Sequence, residues 1–155
     1  YGIQTPFRFL ANAAVVLGDI SSSIVGTISA DYEYVDYSLM RFDFTEDVLA
    51  EYDFNTSIEK IFRPAHTFRL GGEVKFGPFA LRAGYAMQGN PYVEVQNDAS
   101  TNYATFGFGY RKNKVGFDLA YVHSIGDSKY YWYDGTETNM TEIHNIIQAT
   151  LVLKF

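Results

Sequence analysis

The chain has 155 residues, 12 Lys+Arg against 18 Asp+Glu, and a net charge of -6. That length fits one domain, the acidic balance argues against a nucleic-acid partner, and the absence of cysteine excludes a disulfide framework and a thiolate metal site. Aromatic content is the anomaly: 13 Tyr, 13 Phe and Trp132 make 17% of the chain, beside 13 Gly, a composition that favours strands joined by tight turns.

No stretch approaches the roughly 18 apolar residues of a spanning helix. The chain opens on Tyr1-Gly2-Ile3-Gln4-Thr5-Pro6, with neither an initiator methionine nor a basic leader. It reads as a processed chain or a piece of a longer one. The first strand is Phe7–Leu17, where Phe7, Phe9, Ala11, Ala13, Val15 and Leu17 form an apolar face against Arg8 and Asn12. A turn at Gly18–Ser21 leads to a second strand, Ile24–Tyr37, with Ile28, Ala30, Tyr32 and Tyr34 opposite Ser29, Asp31 and Glu33. Unpaired carboxylates have no place in an apolar core, so that face meets bulk water or a wet interior. Leu39–Pro64 is less regular and reads as a long connection with a short helix within Val48–Phe62, capped by Asn55 or Thr56.

The third strand, His66–Phe76, alternates Phe68, Leu70, Gly72, Val74 and Phe76 with Thr67, Arg69, Gly71, Glu73 and Lys75. Gly77-Pro78 turns it into a fourth, Phe79–Gln88, with Arg82 on the less apolar side. Gly89–Asn102 is a polar loop. The fifth strand is Tyr103–Lys112, Asn113 marks a turn, and the sixth is Lys114–Ser124, with Asp118 on its inner side. Gly126–Glu142 reads as a long loop carrying Tyr130, Tyr131, Trp132 and Tyr133, and the seventh strand is Ile143–Phe155, its end alternating through Leu151-Val152-Leu153-Lys154-Phe155.

Short turns and long connections alternate strictly, and several strands run 10 to 12 residues, near the roughly 9 to 11 of a tilted membrane-spanning strand. The expected fold class is therefore an all-β antiparallel transmembrane β-barrel spanning residues 1–155, with short turns in the periplasm and long loops outside. Seven strands leave two edges, and single-chain barrels carry an even number. The chain is thus expected to supply the last seven strands of a larger barrel. The alternative is a complete eight-stranded barrel, with Leu39–Phe44 or Tyr130–Tyr133 hiding the eighth strand.

Gly26–Ser38, Phe68–Glu73 followed by Leu81–Tyr85, Phe106–Tyr110, Phe117–Tyr121 and Leu151–Phe155 together resemble the second half of the outer-membrane transporters of long-chain fatty acids and aromatic hydrocarbons, in their Bacteroidetes form. The resemblance implies a 14-stranded barrel plugged by a hatch domain. It also implies a channel for uptake of hydrophobic small molecules, located in the bacterial outer membrane. The implied partners are outer-membrane lipid, a hydrophobic small molecule, and the missing N-terminal half of the barrel, in the same precursor or as a second chain. The alternatives are a small structural or adhesion-type eight-stranded outer-membrane protein and a soluble β interaction domain.

No enzyme constellation, cofactor site or metal site stands out, since His66, His123 and His144 lack ligand-like spacing. Asp31 and Glu33 share a face as a glycosidase pair would, but electrostatics of an inner wall is the simpler account. Strand parity places Arg8, Asp31, Glu33, Arg69, Glu73, Lys75, Arg82 and Asp118 on one inner surface, where a lumenal charge network is expected. Phe62, Met87, Tyr92, Tyr130, Tyr131, Trp132 and Tyr133 fall near the outer rim, as an aromatic belt or as gatherers of apolar ligand.

Overall fold

The computed structural model describes residues 1–19, 23–44, 48–93, 100–131, 133 and 136–154, and for 129–131 and 137 the backbone alone. In chain order the elements are β1 (Gly2–Gln4), β2 (Phe7–Leu17), β3 (Ile24–Asp36), a 3-10 turn (Tyr37–Leu39), β4 (Arg41–Asp43), α1 (Val48–Ile61), β5 (Pro64–Phe76), β6 (Phe79–Gln88), β7 (Thr101–Lys112), β8 (Val115–Tyr131) and β9 (Glu137–Leu153). Seven strands form one antiparallel sheet in the order β2-β3-β5-β6-β7-β8-β9, while β1 and β4 pair apart from it.

Each of the seven strands lies where alternation places one, and all neighbours pair in simple up-and-down order. The turns explain why. At Gly77 the backbone takes φ 56° between β5 and β6, and Asn113 takes φ 52° between β7 and β8. Left-handed φ is cheap only for Gly and, less so, Asn, so these residues fix the tight hairpins and hence the register. Gly72 faces Ala83, which faces Phe106, which faces Tyr121, which faces Ile147. That continuous row keeps the apolar residues of every strand on one side.

The barrel expectation is corrected here. The sheet is open: β2 and β9 are its edges and share no pairing among the described residues. Neither of the segments considered for an eighth wall strand supplies one. Arg41–Asp43 pairs only with Gly2–Gln4, and Tyr130–Tyr131 continues β8. Alternation fixes which way a side chain points, but closure requires a hydrogen-bonding partner for each edge, and period says nothing of that.

Two further expectations change. The loop expected over Gly126–Glu142 is largely strand, because β8 runs to Tyr131 and β9 begins at Glu137, paired from Val115↔Leu153 to Tyr131↔Glu137. The last described residue of β9 is Leu153, and Phe155 lies outside the described residues. The short helix exists, but Asn55 and Thr56 are inside it and cap nothing. Asn55 instead accepts from the Phe42 amide and donates to the Phe42 carbonyl, at 2.8 and 2.9 Å, as a neighbouring strand would. That pair of bonds ties α1 to β4, and Phe42, Phe44 and Phe54 pack around it.

Burial is sparse. The buried apolar residues among those described are Ile58, Ala65 and Ala80. Ile58 is the buried residue of α1, and the two alanines lie on the same face of the sheet as the charges. Among the described residues, the large side chains of the seven strands make no core.

Candidate functional site

The sheet presents two faces of opposite chemistry. On the first, Glu33 of β3 stands between Arg8 of β2 and Arg69 of β5, both at 2.7 Å. A second chain of ion pairs starts at Lys75 and runs through Glu73, both on β5, to Arg82 on β6, Asp118 on β8 and Arg111 on β7. Arg82 reaches across β7 to Asp118 at 3.0 Å because the residue between them is Gly109. A Cβ there would lie 2.8 Å from Asp118 Oδ1 and 3.0 Å from Arg82 Nη1, so only a bare backbone leaves the ions room to meet.

Electrostatics follows the geometry. The Arg69 hydrogen bond holds the Glu33 carboxyl below its ordinary range, with Arg8 adding attraction against the cost of burial. Lys75, then Arg82, do the same for Glu73, and Arg111 with Arg82 for Asp118. Arg82 is raised in turn, first by Glu73 and then by Asp118. The carboxyls of Glu33, Glu73 and Asp118 are thereby held in their charged form at neutral pH.

Seven of the eight residues expected in a charge network are in it: Arg8, Glu33, Arg69, Glu73, Lys75, Arg82 and Asp118. The eighth, Asp31, faces Arg69 in register but forms no ion pair among the described residues, because that guanidinium turns to Glu33. The network is also two chains, not one. The strip between them is short: Ser29, Gly71, Gly84 and Thr105 lie side by side across four strands. Arg111 was not anticipated, although parity placed it on the correct face two residues from Gly109. These charges line one face of an open sheet, so the word lumenal does not describe them.

The second face is apolar and uncovered. Leu70 is 58% exposed, Phe106 59% and Ile147 74%, and Phe68, Val74, Leu81, Phe108, Leu119 and Leu151 stand among them. A groove of about 700 Å³ runs over Val74, Leu81, Phe106, Phe108, Leu119 and Tyr121. The charged residues that register places on this side, Asp36, Lys112, Asp127, Lys129 and Glu137, sit toward the strand ends. Aromatic contacts order part of it: Phe79 packs on Phe76, Phe108 and Tyr110 at centroid distances of 5.6, 6.0 and 5.3 Å.

The expected aromatic rim is only partly assembled. Phe62 and Tyr92 meet at 5.2 Å in an isolated bridge, with Tyr37 at 6.4 Å from Phe62. Met87 is elsewhere, opposite Phe68 on the apolar face. Tyr133 is fully exposed. Trp132 and the side chains of Tyr130 and Tyr131 lie outside the described residues.

No protein-family model, no curated protein and no solved structure matches this chain. The resemblance to the outer-membrane transporters is therefore without support, and the expectations resting on it and on the barrel are corrected with it. An open sheet encloses no channel, so uptake of hydrophobic molecules has no structural basis here. Outer-membrane lipid, hydrophobic small molecules, a complementary barrel half and an outer-membrane location lose theirs for the same reason. Among the described residues no helix is long and apolar enough to cross a membrane.

Proposed function

We propose that this chain is a self-association module, a β-sheet whose apolar face is covered by a second copy of the chain when it works. The carrying observation is the uncovered face itself. Seven strands at about 4.8 Å spacing, each with about ten residues at roughly 3.3 Å rise, present an area of order 1,100 Å². Contiguous apolar patches on lone soluble proteins rarely exceed a few hundred Å². A stable interface takes roughly 800 Å² from each partner, so the face is large enough for one.

The two-sided chemistry fits that reading. The two ion chains of the charged face pair within the chain, whereas the apolar face gains only when something excludes water from it. Light scattering on the purified chain tests the reading. The wild-type chain is expected above monomer mass. The double variant Leu81→Asp, Phe106→Asp is expected to fall in mass while keeping a β-type circular dichroism spectrum. A wild-type chain that stays monomeric at about 100 μM overturns the proposal.

A further inference from the structure

The sheet's edges carry more information than its face. β9 pairs with β8 on one side and with nothing among the described residues on the other. An edge strand turns alternate amides and carbonyls outward, a template for another strand. Proteins blunt such edges with proline, lysine or inward-pointing charge. Glu137–Leu153 contains no Pro, Lys or Arg, and its two acids, Glu137 and Glu142, both precede the stretch from Ile143 to Leu153. β2 is better guarded, with Pro6 before it and Arg8 within it.

Ile147 and Leu151 lie on the apolar side of this edge and are 74% and 65% exposed, while Ile146, on the charged side beside His144 and Gln148, is 57% exposed. β2 shares the pattern, with Leu10 and Val16 exposed on the charged side, so the lack of guarding residues, not two-sided apolarity, sets β9 apart.

Strand direction then selects the occupant. Seven strands alternating in direction leave β2 and β9 running the same way. A copy that brought its β2 to β9 with apolar faces aligned would pair in parallel, unlike every other pair in the sheet. A copy related by a two-fold axis normal to the sheet brings β9 to β9 antiparallel and keeps both apolar faces on one side. We infer that the chain self-associates through β9, which pairs antiparallel with β9 of a second copy across a two-fold axis and doubles the sheet.

This inference rests on the association reading, but it names a different surface, so the two fail separately. The chain has no cysteine, which makes a disulfide scan clean. Single cysteines are placed in turn at Ile143, Asn145, Ile146, Ile147, Gln148 and Ala149, with Ala11 in β2 and Leu81 on the apolar face as controls. An intermolecular disulfide needs Cα atoms within about 7 Å. The expected result is one sharp maximum along β9, with yields at least five-fold lower four residues away and at Ala11. The maximum should persist in the Leu81→Asp, Phe106→Asp background. Gln148→Lys with Thr150→Lys, which guard the edge without touching the β8 ladder register, should weaken the dimer at least tenfold with unchanged circular dichroism. Cross-links at Leu81 or Ala11 without a β9 maximum, equal yield at every position, or a monomeric wild-type chain each overturn the inference. Loss of the face reading alone would show as a double-Asp variant of unchanged mass that still cross-links through β9.

Discussion

The two faces of this sheet are built from the same strands, yet they solve opposite problems. On one, polar groups were a liability, and the fold removes it by pairing: Glu33 is 8% exposed and shared between two arginines, and no buried side-chain nitrogen or oxygen lacks a partner among the described residues. On the other, the apolar groups are left in water. The contrast teaches that the charged face is finished within this chain, while the apolar face and the β9 edge are not. Substitutions on the first should therefore change the stability of the chain itself. Substitutions on the second should change what it associates with.

The largest effect is expected at Glu33. Glu33→Ala leaves Arg8 and Arg69 facing each other across β3 with no anion between them. Hydrogen bonds to charged groups are worth about 1.5–3 kcal/mol, and the half-exposed arginines reduce that, so a loss of about 1–2 kcal/mol in urea unfolding is expected. Acid should reproduce part of it. Glu33, Glu73 and Asp118 all have lowered carboxyl pKa values, so their contribution is complete above the ordinary carboxylate value of about 4 and is lost as pH falls through the lowered folded values. The unfolding midpoint should be flat between about pH 8 and 5 and drop below about 4, with a shallower drop in Glu33→Gln. A midpoint that does not fall in acid would remove the ion chains from the account of stability.

Next in size is Arg82, which pairs with both Glu73 and Asp118. Arg82→Ala should lower the thermal midpoint by roughly 2–4 °C, the shift that about 1 kcal/mol produces in a chain of this length. Gly109 sharpens the same point by coupling. In the wild type, Gly109→Ala pushes a methyl into the Arg82–Asp118 contact and should destabilise slightly. In the Arg82→Ala background one of the two crowded atoms is gone and Asp118 Oδ1 is freer to move aside, so the same change should cost less. Additive effects in that double-mutant cycle would mean that Gly109 does not serve the ion pair.

The charged face was legible because parity is a strict rule: once strands are placed, each even or odd residue has its side. That is enough to gather seven members of the ion chains before any geometry is known. It does not say which partner a side chain chooses, so Asp31 was expected in the network although Arg69 turns to Glu33. Arg111 is readable by the same rule, on the side of Thr105, Gly107 and Gly109, and pairs with Asp118. The extensions of β8 and β9 had no apolar signal to read. There Asp127 meets Thr141 and Ser128 meets Glu142, polar pairs that look like loop in sequence. An Asn side chain favours helix ends, whereas tertiary contact with Phe42 uses the same hydrogen-bonding groups of Asn55 mid-helix. Closure is what the strand pattern leaves open. Strand length, loop alternation and an aromatic terminus describe a wall, and a wall can stand open.

The smallest expected effect on stability is the one that most sharply divides the two faces. Leu70 is 58% exposed at the centre of the apolar face, opposite Ala30 and Tyr85. In a finished protein, an aspartate at the centre of a sheet face would be among the costliest changes, since it would strand a charge in a core. Here the face is open, so within the lone chain the carboxylate stays hydrated. Leu70→Asp should therefore change urea unfolding by no more than about 0.5 kcal/mol, the usual range for surface positions. Its cost should appear instead in association, as a lower mass in light scattering at equal concentration. A loss of about 2 kcal/mol or more in a monomeric sample would mean that Leu70 is already covered within the chain, and the division between a finished and an unfinished face would fall with it.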